Sequence, residues 1–222
     1  MTGGHALVVT GGPIPANQGP LPSADLIIAA DGGADNAAAL GLTVDLVIGD
    51  LDSVSSAAVA RAKKVERHPE DKDETDLELA LSAAVAAGTG SVTVVGTLGG
   101  RVDHALANLL VAAGDRWANL RIDLRIDGAQ AWVVRDHVEI VAQVGDVVSL
   151  LAVGGRATGV TTTGLAWPLA NAEVKPGVGL GLSNRMAAPK AEVVVNDGTL
   201  LVIVDRTGLE PVTSSDGFLK PL

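Results

Sequence analysis

The stretch Asp25-Leu26-Ile27-Ile28-Ala29-Ala30-Asp31-Gly32-Gly33 decides how this chain is read. An apolar run stops at a carboxylate and two glycines, and an alanine-rich segment begins at Ala34. A continuous apolar run of that length fits a strand buried on both faces, as in a parallel sheet. The same pattern recurs on either side. Ala6-Leu7-Val8-Val9-Thr10 ends at Gly11-Gly12-Pro13, Leu46-Val47-Ile48 ends at Gly49-Asp50, and Ser91-Val92-Thr93-Val94-Val95 ends at Gly96. Residues 121–126 read as the last strand of the series. Helices are expected between them, over 34–40, 56–63, 76–87 and 102–118. Thr75 with Glu78 three positions on fits a capping box, and Gly88 supplies a stop. Strand and helix in alternation predict an N-terminal α/β sandwich domain over residues 1–126. Ligands of such sheets bind at the carboxyl ends of the strands, where Asp31, Asp50 and Gly96 fall.

Beyond residue 127 the pattern changes. Residues 130–134, 138–141, 147–152, 159–163, 182–186, 191–195 and 200–204 read as short strands. Asp127-Gly128, Gly154-Gly155 and Asn196-Asp197-Gly198 read as turns between them. That spacing predicts a C-terminal antiparallel β-sandwich domain over residues 127–205. Residues 206–222, with Pro211, Ser214, Ser215, Gly217 and Pro221, read as a tail.

The 222 residues are 47% hydrophobic, which argues against disorder over most of the chain. Sixteen basic against 26 acidic residues leave a formal charge of −10. Such a surface repels nucleic acid, and no basic stripe offsets it. It repels a nucleotide triphosphate too, so a site for one needs metal ions and a few local cations. With no cysteine, disulfides, thiolate metal sites and cysteine nucleophiles are excluded. The start of the chain shows no secretion signal, and no apolar run is long enough to span a bilayer, so a cytoplasmic protein is expected.

Acidic residues then mark the chemistry. Asp50 and Asp52, two apart in an extended segment, point the same way and can bracket a hard cation. The plainer reading is a polar strand end, with Asp52 or Ser53 capping the next segment. In Asp71-Lys72-Asp73-Glu74-Thr75-Asp76 four acids crowd one lysine. Acids favour a helix start in any case. With the other clusters nearby, Asp76 is the expected metal ligand from this segment. Gly99-Gly100-Arg101, ahead of a helix, offers bare amides, a positive helix end and a guanidinium, all suited to a phosphate chain. Asp103, His104 and Asn108 come next on that helix. No Gly-Lys dipeptide exists, so there is no P-loop, and no Gly-x-Gly-x-x-Gly follows a strand. Trp167, among turn residues, either stacks on a flat cationic ring or packs the sandwich core.

Taken in order, these motifs resemble the thiamine pyrophosphokinase (thiamin diphosphokinase) family. They are Asp31-Gly32-Gly33-Ala34, Gly49-Asp50-Leu51-Asp52-Ser53, Asp71-Lys72-Asp73-Glu74-Thr75-Asp76, Gly99-Gly100-Arg101-Val102-Asp103, Gly164-Leu165-Ala166-Trp167 and Ser183-Asn184. Each is short, but six in order are specific. Gly179-Leu180-Gly181-Leu182, just before Ser183, departs from the Ser/Thr-rich run common in the family. The resemblance implies that Mg²⁺ sits on Asp50, Asp52 and Asp76. Asp31, Gly32, Gly33, Asp73, Thr75, Gly99, Gly100, Arg101, His104 and Asn108 would serve the nucleotide, with ATP as co-substrate. Trp167, Ser183 and Asn184 would meet thiamine, and a homodimer with composite sites would complete the pocket. The expected reaction moves the pyrophosphoryl group of ATP to thiamine's hydroxyl, with Asp50, Asp52, Asp76, Arg101 and Asp103 as catalytic residues. Two other readings fit part of this pattern. Asp50-Leu51-Asp52-Ser53 after an apolar strand imitates the nucleophile motif of a haloacid-dehalogenase-type phosphatase. A non-catalytic sensor of nucleotide or thiamine diphosphate is the second.

Overall fold

The apolar runs become a parallel sheet, and its order explains where the carboxylates meet. A computed structural model describes residues 3–14, 19–96, 102–126 and 128–205. Strands β1 (His5–Val9), β2 (Leu26–Ala30), β3 (Leu46–Gly49) and β4 (Lys64–Arg67) alternate with helices α1 (Gly33–Ala39) and α2 (Ser56–Val59). Then come α3 (Asp76–Ala86), β5 (Ser91–Val95), α4 (Val102–Ala112) and β6 (Arg121–Ile126). The six strands lie side by side, all parallel, in the order β4-β3-β2-β1-β5-β6. Strands β1 to β4 extend the sheet one way, and α3 carries the chain back to the far side of β1.

Two departures from the expected helices have local causes. Helix 56–63 stops at Val59, because Lys64–Arg67 pairs with β3 as an edge strand. That strand is charged and mostly exposed, so periodicity does not reveal it, and the same charges discourage further pairing at the edge. Helix 102–118 stops at Ala112. Gly114 is extended (φ −63°, ψ 148°), and a short 3₁₀ turn over Asp115–Trp117 comes after it. The expected capping box is present: Thr75 Oγ1 accepts from Glu78 N, and Thr75 N donates to Glu78 Oε2 at 2.9 Å.

After β6 the chain reverses. β7 (Ala129–Val134) pairs antiparallel with β6, so the sheet continues without a gap from the parallel half into the antiparallel one. The remaining strands are β8 (His137–Val141), β9 (Val147–Thr163), β10 (Ala172–Val174), β11 (Asn184–Arg185), β12 (Lys190–Val194) and β13 (Asp197–Asp205). The fold is therefore a mixed sheet, parallel first and antiparallel after. β9 is one 17-residue strand where two are expected. Gly154-Gly155 lies inside it where the register with β13 shifts: β13 pairs with residues 147–153 and again with Thr158, and Thr161, Thr162 and Thr163 pair with β12. β10 is not among the expected strands, and of the expected strand 182–186 Asn184–Arg185 pairs with β9 while Met186 forms an isolated antiparallel bridge with Leu165.

Three apolar clusters hold this together. Ala6, Val8, Ile28, Val94 and Leu124 pack under α3 and the residues after α4. Leu7, Val9, Ala29 and Val47 pack on the opposite face beneath α1 and α2. Val148, Leu150, Val160, Val193 and Val202 fill the sandwich. Gly33 shows how close α1 comes to the sheet: a Cβ there would stand 2.0 Å from the carbonyl oxygen of Val9. Only glycine admits that approach. Among the described residues no helix is long and apolar enough to cross a membrane.

Candidate active site

Asp31 follows β2 and Asp50 follows β3, and these strands are parallel neighbours. The shared register brings both residues to the same end of the sheet, where Asp31 N donates to Ile48 O at 2.9 Å. Oxygen atoms of Asp31, Asp50 and Asp52 all lie within 4.8 Å of one another. The convergence of Asp50 and Asp52 does not come from strand alternation. Leu51 between them is left-handed (φ 64°), and Asp52 N donates to Asp50 Oδ1 at 3.1 Å. Asp31 is left-handed too (φ 46°). Both carboxylate loops thus hold a non-glycine residue in a costly conformation, as functional loops often do.

Asp76 opens α3 beside this cluster. A Cβ at Gly49, whose φ is 144°, would stand 3.0 Å from Asp76 Oδ1 and 3.1 Å from Asp31 Cβ. That position is where the loops after β2 and β3 and the start of α3 touch, so it is kept free of side chain. Lys72 reaches in with its ammonium 3.1 Å from Asp76 Oδ1 and 3.6 Å from Asp50 Oδ2. Its side chain is only 13% exposed. Arg67 Nη1 donates to Asp50 O at 3.0 Å, and Ser53 Oγ donates to Asp31 Oδ2.

The charges leave their mark on proton affinity. Asp50 pushes the Asp52 carboxyl above the usual range, with Asp31 adding to the effect. The backbone N–H of Asp52, helped by Lys72, holds Asp50 below it. Burial raises Asp76, and the lysine beside it only partly offsets this. Burial works against the charge on Lys72, but Asp76 and Asp50 together keep its pKa above the ordinary lysine value.

Beside the cluster lies a cavity of about 550 Å³ whose walls include Thr10, Asp31, Lys72, Asp76, His104 and Asn108. Among the described residues lining it, Lys72 supplies the one ammonium or guanidinium group. Its floor is built from the loop after β1. Asn36 Nδ2 donates to the carbonyls of Thr10 and Gly12 at 2.7 Å each, and Thr10 Oγ1 donates to Gly96 O at 2.5 Å.

Four oxygen-bearing side chains suit a hard divalent cation. Two buried oxygens, Asp31 Oδ1 and Asp76 Oδ1, have no well-aligned hydrogen bond, although Lys72 pairs with the second by charge. Buried carboxylate oxygens normally have such partners. The donor set therefore fits a magnesium ion.

Of the residues named from sequence, Asp31, Thr75, Asp76, His104 and Asn108 line the cavity. Asp50 and Asp52 join Asp31 in the cluster. Gly32 precedes α1, and Gly33 opens it. Asp73 is exposed and is not part of the cavity wall, and Asp103 lies on the first turn of α4. Gly99, Gly100 and Arg101 lie outside the described residues. Trp167, Ser183 and Asn184 are not among the described residues of the cavity wall or the carboxylate cluster. Trp167 is 61% exposed, so it does not pack the sandwich core. Asn184 is buried and spends its amide on Trp167: Trp167 N donates to its Oδ1 at 3.0 Å, and its Nδ2 donates to Trp167 O at 2.6 Å. Two partners of the carboxylates are not among the residues expected from sequence: Lys72, beyond its crowded surroundings, and Ser53, which bonds Asp31. A lysine among four acids is the signal that points to the first.

Comparison with known proteins agrees with this geometry. The thiamin pyrophosphokinase catalytic-domain family matches residues 20–122, and the thiamin pyrophosphokinase vitamin B1 binding-domain family matches residues 137–200. Thiamine pyrophosphokinase of Bacillus subtilis is 26% identical over 205 residues, covering 88% of this chain and 96% of that one. Thiamine pyrophosphokinase 1 of Oryza sativa is 29% identical over 156 residues, and the match spans 63% of this chain and 58% of that protein's length. The crystal structure of the Bacillus subtilis enzyme superposes with a TM-score of 0.79 at 24% identity, over 91% of this chain and 99% of that one. Thiamin pyrophosphokinase from Candida albicans shares the fold at 13% identity, with a TM-score of 0.71 over 90% and 88%. With both domain families matched in order, the chain belongs to the thiamin pyrophosphokinase family.

Proposed function

We propose that this chain is a thiamine pyrophosphokinase that transfers the pyrophosphoryl group of ATP to the hydroxyl of thiamine. The observation that carries this reading is the convergence of the Asp31, Asp50 and Asp52 oxygens within 4.8 Å, beside a cavity of about 550 Å³. The hydroxyl oxygen bonds to the β-phosphorus of ATP, the bond from that phosphorus to the oxygen shared with the α-phosphate breaks, AMP leaves, and the hydroxyl gives up its proton. Catalysis of this kind is mostly positioning and charge neutralisation. Asp50, Asp52 and Asp76 would hold Mg²⁺, with Asp31 against it. When bound, that ion withdraws charge from phosphate oxygens. Arg101 would pair with the transferred group, and Asp103 would orient the thiamine hydroxyl or take its proton. His104 and Asn108, on the cavity wall, would bound the nucleotide.

The thiamine end of the site is proposed to come from a second copy of the chain. The cavity wall among the described residues contains no tryptophan or phenylalanine ring, while Trp167 stands exposed on a loop whose backbone Asn184 clamps. Helix α4 also presents Val102, Leu106 and Leu110, which are 82%, 56% and 49% exposed at a spacing of four residues. That exposed stripe supports a homodimer in which each Trp167 serves the other subunit. A cytoplasmic location fits a reaction that consumes ATP.

Purified protein with thiamine, ATP and Mg²⁺ should release AMP and thiamine diphosphate in equal amounts. Binding of either nucleotide or thiamine diphosphate without AMP release would favour the sensor reading. Phosphate release from simple esters without ATP would favour a phosphatase. Against the phosphatase, Asp50 follows the third strand, and its Oδ1 already accepts from Asp52 N. Mixing an Asp50→Ala chain with a Trp167→Ala chain should restore part of the turnover lost by each alone, because a composite site recovers one intact set of groups.

A further inference from the structure

Lys72 stands where a cation is needed, but it is part of the chain. Its ammonium lies 3.1 Å from Asp76 Oδ1 and 3.6 Å from Asp50 Oδ2, and the side chain is 13% exposed. Asp50 is one of the three residues whose oxygens converge, and Asp76 Oδ1 is buried with no well-aligned hydrogen bond. The lysine thus addresses oxygens on which a divalent ion would also draw. It comes from the loop just before α3, whose start is fixed by the capping box of Thr75 and Glu78. Two positive charges cannot share those oxygens at short range without strong repulsion.

We propose that Lys72 is a built-in competitor for the divalent cation: its ammonium and the ion contend for Asp50 and Asp76, and this contest sets the affinity of the site. The inference rests on the carboxylates forming a magnesium site and deepens it. Lys72 has two effects there. It neutralises one of four crowded carboxylates, which keeps the strand ends and the start of α3 together. It also weakens ion binding, so that the ion binds well only with the added negative charge of a triphosphate. On entry of both, the displaced ammonium would stay on the wall of the same cavity and could pair with the added phosphate charge. Lys72 is in this sense a positioning residue that acts through Asp50 and Asp76.

The test is titration of the nucleotide-free protein with Mg²⁺ and with Mn²⁺, read by calorimetry and by the paramagnetic signal of Mn²⁺. Lys72→Met and Lys72→Gln should each bind the ion about tenfold more tightly or better, since both remove the competing charge. Lys72→Arg should stay near the starting affinity. Thermal melts give an independent measure. In chelator, the Met and Gln variants should melt below the parent chain, and added Mg²⁺ should raise their midpoint more than the parent's. A Gln variant that folds only with divalent ion present is the same result in stronger form. Unchanged or weaker ion binding in the Met and Gln variants overturns the proposal, as does a loss of folding that Mg²⁺ does not repair. Because no turnover is measured, a chain that made no thiamine diphosphate yet showed these shifts would reject the proposed activity and keep the competition.

Discussion

The two halves of the sheet carry different kinds of functional group, and they hold them differently. In the parallel half, carboxylates sit on short loops at strand ends, tied to the backbone and to one another. In the antiparallel half, the exposed Trp167 stands on a loop whose own backbone is clamped but whose ring faces outward. Like charges repel unless a rigid frame and a cation hold them, so they need strands buried on both faces. A stacking ring needs only surface and a partner.

Removing a carboxylate should hurt function most. Asp50→Ala should lower Mg²⁺-dependent turnover by about 100-fold or more, while circular dichroism reports an intact fold. Near-normal turnover would remove Asp50 from the site.

A backbone change separates the halves by stability. At Gly33 an added Cβ meets Val9 O at 2.0 Å, whereas at Gly155 nothing lies within 4 Å. Gly33→Ala should cost about 3 kcal/mol in denaturant titration, and Gly155→Ala should stay within about 0.5 kcal/mol. Equal costs would mean that the two glycines do not differ in packing.

At the exposed ring the order of effects reverses. Trp167→Ala should leave stability within about 0.5 kcal/mol but reduce turnover roughly tenfold, on the scale of a lost ring–cation contact. A large fall in melting temperature with unchanged thiamine affinity would make Trp167 a packing residue instead.

The smallest effect concerns pH. Asp50 and Asp31 hold the Asp52 carboxyl above its usual range. Divalent-ion affinity should therefore begin to fall on acidification at a higher pH than for an ordinary aspartate. The sign for stability is opposite. A folded-state pKa above the unfolded value means that the charged carboxylate weighs against the fold at neutral pH, and protonation relieves it. Asp52→Asn should accordingly raise the melting temperature in chelator while weakening the ion site. A lowered melting temperature would show that Asp52 is held by something other than its like-charged neighbours.

Strands β1, β2, β3, β5 and β6 were legible because continuous apolar runs leave few alternatives, and the Thr75 capping box was legible because it is local. β4 was not, since Lys64-Val65-Glu66-Arg67 has no apolar period and becomes a strand only because β3 offers an edge. The join inside β9 was also hidden: Gly154-Gly155 reads the same in a turn as at a register shift within one strand. The site divides along the same line. Asp31, Asp50, Asp52 and Asp76 could be named from their motifs. Lys72 as the counter-charge could not, and Asn184 turned out to hold the Trp167 backbone.

The sequence by itself determined which residue types stand at the ends of the strands and in what order, because burial dictates apolar runs and short polar breaks end them. Tertiary structure alone decided that Asp31 joins Asp50 and Asp52 within 4.8 Å and that Lys72 reaches Asp76 at 3.1 Å. Those separations depend on the parallel register of β2 and β3, the left-handed turns at Asp31 and Leu51, and the bare backbone of Gly49. Each of these is a long-range or conformational fact that no local pattern encodes.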